Sequence, residues 1–406
     1  MHIRNTYLNR IEPFLGKPVI KVITGLRRSG KSCFLQMIRQ RLCARHGVAA
    51  SDIIAIDKES LDFDAITTAR DLNDFVRKQR QRARGKPCLL VDEIQEIAGW
   101  EKAVASLAKP GDMDIIITGS NAHMLSSELA TLLSGRYVEF PIHTLSFEEF
   151  LEFRAAKAGT RDEEFRRYLR YGGFPALHLF DLNDEMVYQY ISAIYSTILL
   201  KDIVRRYDIR NVPLLENIGR YLFANIGSLV SAHRIAQYLR AQHLKVGVET
   251  VQAYIGHFVD AHIVTKAPRF DIQGKRYLEI NDKYYLNELG LRHAVLGFRE
   301  GDIAGFLENL VFLDLKRRGY RVAVGKLGSA EVDFVAMRER EKIYIQVAYL
   351  LDRQETVKRE IAPLMAIGDN YPKWLITLDR DFGDDIEGIQ RLNLQDFLLR
   401  HASAEL

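Results

Sequence analysis

Gly25-Leu26-Arg27-Arg28-Ser29-Gly30-Lys31-Ser32 stands between an apolar run, PVIKVIT at 18–24, and the segment SCFLQMIRQRLCARHG at 32–47. In that segment Phe34, Leu35, Ile38 and Leu42 fall on one helical face, and Gly47 supplies a stop signal. A buried strand, a glycine turn and a helix thus follow in order, and the turn fits GxxxxGK[ST]. Glycine is needed there because successive N–H groups must curl around phosphate oxygens through conformations that a side chain obstructs. The helix that follows points its positive end at the same anion. The pattern predicts that residues Gly25 to Cys33 cradle the phosphates of ATP. Lys31 reaches the β- and γ-phosphates as a point charge, and the Ser32 hydroxyl enters the shell of a magnesium ion. Arg27 and Arg28 raise the local potential and are expected to be solvated.

Working outward, IIAI at 53–56, CLLVD at 88–92, DIIITG at 114–119 and YVEFPI at 137–142 are further compact apolar runs. Their alternation with helical or polar segments predicts a parallel sheet covered by helices. Asp92 and Glu93 end one of these strands, where the sheet itself has no use for two carboxylates. Asp92 is expected to hold magnesium through its water shell and Glu93 to polarise the attacking water. Gly119-Ser120-Asn121 ends the next strand, on the rim where open α/β sheets bind ligands. Either Ser120 or Asn121 senses the γ-phosphate or positions the water, the alternative being an ordinary turn. Arg136, just before the fifth strand, is a candidate for stabilising charge on the transferred phosphoryl group, within the chain or across a subunit boundary, and otherwise a surface ion pair.

From 146 to 226 the periodicity is helical, and 228–280 reads as helix, turn, helix and hairpin, the order of a winged helix-turn-helix. The remainder combines an amphipathic helix, GFLENLVFLDLKRRGY, with strands near YRVAVG, EVDFVAM, KIYIQVAY and WLITL. The expected class is therefore multidomain α/β. A P-loop core occupies 1–160, a helical lid or linker 161–226, the winged helix 227–295, and a small α/β domain 296–406.

The chain has 406 residues with 57 basic and 53 acidic side chains, so its net charge of +4 is no argument by itself for nucleic-acid binding. Cys33, Cys43 and Cys88 are odd in number and lack CxxC spacing, which points away from a disulfide framework or thiolate zinc site. No run approaches the roughly 20 apolar residues of a membrane span, and the start is no signal peptide. A cytoplasmic protein is expected.

The phosphate loop, VDEIQ at 91–95, ITGSN at 117–121 and SGRYVEFPIHTLSFEEF at 134–150 together resemble the prokaryotic P-loop ATPases of the AAA superfamily related to archaeal ATPases and signalling NTPases. The likeness implies ATP hydrolysis, adds weight to Arg136, and makes YGGFPAL at 171–177 part of a helical lid. LLKDIVRRYDIRN, KYYLNELGLR, LENLVFLDLKRRGY and EVDFVAMREREKIYIQVAY resemble the domain of unknown function 4143 that accompanies such ATPases. The C-terminal segment also resembles nucleases of the restriction-endonuclease fold, with Glu308 and Asp333 in two metal-binding positions. The third motif is Gln346-Val347-Ala348, which lacks the second acidic ligand and the lysine, so the resemblance implies a degenerate, inactive centre with Lys358 the candidate for a migrated lysine. The implied function is magnesium-dependent ATP hydrolysis that switches the arrangement of the appended domains. The alternative is a nucleotide-regulated scaffold that turns over slowly and binds duplex DNA through the winged helix, or docks a protein or second copy of the chain. An ATP-dependent nuclease is the third reading.

Overall fold

Each of the five apolar runs forms a strand: β1 (Ile20–Thr24), β2 (Ile53–Asp57), β3 (Cys88–Asp92), β4 (Asp114–Thr118) and β5 (Tyr137–Pro141). In the computed structural model, which describes residues 2–122, 135–351, 353–379 and 385–400, these strands form a parallel sheet in the order β2-β3-β4-β1-β5. Parallel strands buried on both faces need helices on both sides. One face packs Val22, Leu89, Val91 and Ile117 against Leu72 and Val76 of α3 (Ala69–Arg80) and Trp100 and Val104 of α4 (Trp100–Ala108). The other packs Ile23, Leu90 and Ile116 against α1 (Asn5–Ile11) and against Phe34, Ile38 and Leu42 of α2 (Lys31–His46). Local chemistry sets the helix ends: Thr68 and Asp71 form a reciprocal capping box before α3, and Gly47 closes α2 at φ +65°. Lys21 is tolerated in the buried β1 because its ammonium pairs with Asp114 and donates to the carbonyls of Lys17 and Val19.

The strand order matters for the site. β1 lies beside β4, and β4 beside β3, so the C-terminal ends of all three open on one rim. The register pairs Ile23 with Thr118 and Val91 with Ile117, which sets Thr118 next to Asp92.

The chain divides into two compact units, one comprising residues up to Thr144 together with Asp260–His262, the other the rest. The division falls at 144 rather than 160. Phe147 and Phe150 of α5 (Phe147–Arg154) pack on Phe165 and Tyr168 of α6 (Arg161–Tyr171), in the same cluster as Leu307, Val311, Val324 and Phe334. Helix α7 (Asp184–Thr197) runs on into a π-helical turn, Ile198–Val204, and α8 (Val212–Ala224) follows. Then come β6 (Leu229–Val230), α9 (Ala232–Ala241), α10 (Val248–Asp260), the hairpin β7 (Val264–Asp271) and β8 (Arg276–Leu286), α11 (Leu289–Leu296) and α12 (Ile303–Arg317). The last elements are β9 (Arg321–Leu327), β10 (Ala330–Arg338), β11 (Glu341–Val347), α13 (Gln354–Met365), β12 (Lys373–Thr377), β13 (Gln390–Asn393) and α14 (Leu394–Leu399).

These strands form one mixed sheet of eight in the order β13-β12-β11-β10-β9-β7-β8-β6. Strand β7 pairs antiparallel with β8 and, through Arg269–Asp271, parallel with Val324–Lys326 of β9. The hairpin and the C-terminal strands thus share backbone hydrogen bonds across position 295, where the sequence suggested a boundary. No helix among the described residues is long and apolar enough to cross a membrane.

Candidate nucleotide site

The loop after β1 takes its shape from three left-handed residues: Gly25 at φ +143°, Arg28 at +66° and Gly30 at +98°. At Gly25 the requirement is spatial as well, since a Cβ would lie 2.2 Å from the Ile142 carbonyl oxygen. Gly30 begins α2, and the Gly30 carbonyl accepts the first bond of that helix from the Phe34 N–H at 2.9 Å. The Leu26 carbonyl accepts the Ser29 N–H at 3.1 Å, while the Ser29 hydroxyl is buried without a hydrogen-bond partner. Arg4 fixes the loop from below, donating to the Ser29 and His143 carbonyls at 3.2 and 2.9 Å with its guanidinium 4.4 Å from the Tyr7 ring centroid. Lys31 is buried and folds back over the loop, donating to the carbonyls of Gly25 at 3.1 Å and Leu26 at 3.2 Å. Ser32 and Cys33 follow on the exposed side of α2.

Asp92 and Glu93 arrive from β3. The Thr118 hydroxyl donates to Asp92 and accepts the Glu93 N–H at 3.0 Å, so one side chain at the end of β4 orients both acids. Burial pushes the Asp92 carboxyl above its ordinary range, against hydrogen bonds from Ser32 and Thr118. Glu93 occupies the left-handed region at φ +52°, uncommon for a residue with a Cβ, and its carboxylate is turned into the site by that turn. It accepts hydrogen bonds from Gln95 and, at 3.1 Å, from Ser120. Burial would raise its pKa, but Lys31 and Arg27, each 3.7 Å away, and these hydrogen bonds hold it below the ordinary value.

Arg27 departs from expectation. It is 6% exposed rather than solvated, bridging Glu93 and, at 3.0 Å, Glu59. Ser120 and Asn121 are fully buried on the same rim, Ser120 bonded to Glu93 as described. Arg136 is not brought to this rim. It is exposed and its carbonyl accepts the Ile20 N–H at 2.8 Å, at the start of β1, whereas the loop begins after Thr24. At ~3.3 Å per residue the strand separates the two ends by about 15 Å. Thr118 and Arg4 are the residues that sequence reasoning did not assign.

The donor set suits a magnesium nucleotide: a turn that leaves no room for a Cβ at Gly25, a buried ammonium resting on neutral carbonyls, an orphaned Ser29 hydroxyl, and Ser32 at the start of α2 with Asp92 at the end of β3. Among the described residues no cluster of three His, Cys, Asp or Glu side chains could hold a metal by itself.

The chain is similar to known proteins in sequence and in fold. Residues 17–151 match the AAA domain family, and residues 162–302 match a domain of unknown function, DUF8612, not the domain 4143 that the sequence resembles. A Walker-type ATPase of Pyrococcus abyssi superimposes with a TM-score of 0.51 at 15% identity, over 72% of this chain and 95% of its own, a likeness of fold alone. An uncharacterized protein of Haemophilus influenzae is 37% identical over 399 residues, covering 98% of each chain. Another, of Methanocaldococcus jannaschii, is 33% identical over 362 residues, covering 84% of this chain and 77% of that protein. The chain belongs to the family of these bacterial and archaeal proteins, and its residues 17–151 form an AAA domain of P-loop ATPase fold.

Proposed function

We propose that the chain is a magnesium-dependent ATPase whose nucleotide state changes the arrangement of its helical, winged-helix and nuclease-like parts. The observation that carries the reading is the convergence of Lys31, Asp92 and Glu93 on the rim where the Gly25–Ser32 loop leaves β1. Lys31 exchanges the Gly25 and Leu26 carbonyls for β- and γ-phosphate oxygens. Ser32 and Asp92 would hold magnesium, which when bound offsets phosphate charge and orients the chain of phosphates. Glu93 accepts the proton of the attacking water. Ser120, already bonded to Glu93, and Asn121 beside it report the γ-phosphate. As Lys31 leaves Glu93 for the phosphates, Arg27 remains as the cation beside the carboxylate, and this exchange is the differential contact that a switch requires. Arg136, on the opposite rim, would meet only a nucleotide held by a second copy.

Glu93→Gln tests the reading. Calorimetric titration with ATP is expected to give undiminished binding heat while phosphate release falls at least about a hundredfold, as for loss of a general base. Unchanged turnover removes Glu93 from its role, and absence of heat with the unmodified chain ends the nucleotide reading altogether.

A second partner is favoured by the order β6, α9, α10, β7, β8, that of a winged helix, with Lys275 and Arg276 exposed at the hairpin tip. Lys266, in the same hairpin, is held by Asp282 at 2.8 Å. Duplex DNA is expected to bind at low salt, with affinity that falls with salt and is lost on Lys275→Glu/Arg276→Glu. No binding at low salt rejects this partner.

A further inference from the structure

The second unit holds a buried charge cluster that the nucleotide chemistry does not use. Lys283, on β8, is 3% exposed. Its ammonium lies 2.7 Å from Glu331 and 4.0 Å from Asp333, both on β10, and 3.0 Å from Glu308 on α12. The Tyr285 hydroxyl donates to the same Glu308 oxygen at 2.5 Å, and Asp333 accepts the Val347 N–H at 2.8 Å. Gln346 receives the Asp333 N–H at 3.3 Å and passes its own amide to Glu360 at 3.3 Å. Glu308 is seated over Gly227, where a Cβ would come within 2.8 Å of a carboxylate oxygen.

Three carboxylates gathered around one point repel each other, most where they are buried, and a cation among them offsets that repulsion. The sequence offered Lys358 for this place, but that residue is exposed on α13. The cation comes instead from the hairpin. The Lys283 ammonium contacts one oxygen each of Glu308 and Glu331, and Tyr285 donates to the same Glu308 oxygen, so a cation already stands among the carboxylates.

We propose that Lys283 is the resident cation of this centre: its ammonium takes the place of a divalent metal ion among Glu308, Glu331 and Asp333, so the native chain binds no free metal there and gains a metal site when the ammonium is removed. The centre is a fastening between β8, α12 and β10 and does not hydrolyse phosphodiesters. The inference stands apart from the nucleotide reading, since no nucleotide enters it.

Terbium luminescence excited through tyrosine tests it on the full chain without nucleotide, with Tyr285 as the nearby sensitiser. Asp92→Asn in every sample silences the other ion site. The expected result is saturable luminescence in Lys283→Met, at least about tenfold tighter than in the chain retaining Lys283, and lost again in Lys283→Met/Asp333→Asn. Lys283→Gln, a neutral residue that can still hydrogen-bond, gives the same reading if the methionine variant does not fold. Equal terbium binding with and without Lys283 overturns the proposal. So does Asp333-dependent binding while Lys283 is in place, or manganese-dependent DNA cleavage by the unmodified chain that Asp333→Ala abolishes.

Discussion

Replacing Thr118 by Val exchanges one hydroxyl for a methyl at the end of β4 and changes the volume of a fully buried side chain very little. The hydroxyl makes two bonds, accepting the Glu93 N–H at 3.0 Å and donating to Asp92. A neutral buried bond contributes about 1 kcal/mol and one to a carboxylate about 1.5–3 kcal/mol, so the loss is about 2.5–4 kcal/mol. Thr118→Ser is the control: it keeps both bonds and loses one buried methyl, at about 1 kcal/mol. The two variants are compared by urea denaturation, following the transition of the unit that carries the site, and by phosphate release. Val is expected to be the less stable by about 1.5–3 kcal/mol. Its turnover is expected to fall about tenfold or more, because Asp92 loses an orienting donor and the left-handed turn at Glu93 loses its anchor. If Val is as stable as Ser and turns over ATP as fast as the unmodified chain, Thr118 does not organise the acids and the account of the site is refuted.

Gly25→Ala meets both a strained φ and the Ile142 carbonyl at 2.2 Å; a loss of about 2–5 kcal/mol is expected. Calorimetry should then show little or no nucleotide binding, and an alanine variant that binds normally contradicts the cradle. Glu164 is fully buried and bonded to Arg154 at 2.8 Å and to the Gly159 N–H at 3.0 Å. Burial would raise its pKa, but these partners hold it below the ordinary 4.5. Its stabilisation is therefore present above that value and is lost as pH falls through the lower folded one. Glu164→Gln is expected to cost about 1.5–3 kcal/mol at neutral pH. The stabilities of the two chains should converge in acid, and a gap that stays constant with pH argues that the charge is not what matters.

The placement of the glycine turn and of the acid pair was legible because it is written in adjacent residues: glycines at the turn, Lys31 and Ser32 at the helix start, Asp92 and Glu93 at a strand end. Thr118 was not, although it was in plain view in ITGSN, since its duty depends on the β3–β4 register that sets it beside Asp92. Arg4 depends on tertiary packing alone, and nothing local marks it. Arg27 was misread because a loop arginine is ordinarily solvated, whereas here Glu59 and Glu93 supply the pairing that burial requires. The position of Arg136 could have been foreseen: in a parallel sheet, a residue before one strand lies on the rim opposite a loop that follows another. In the second unit the helices and strands were recognisable from their periodicity. The seam between β7 and β9 was not, because the outer edge of a hairpin carries no sequence mark of the strand it will meet.

That seam bears on how the molecule can be cut. A fragment ending near 296 keeps the hairpin but loses β9, and the backbone groups of Arg269–Asp271 that paired with it become a raw edge. Such a piece invites a neighbouring molecule to complete the ladder and is prone to clump in solution. Truncations meant to isolate the helix and hairpin portion therefore fare better if they carry β9 along, or if a charge is grafted onto the bared strand.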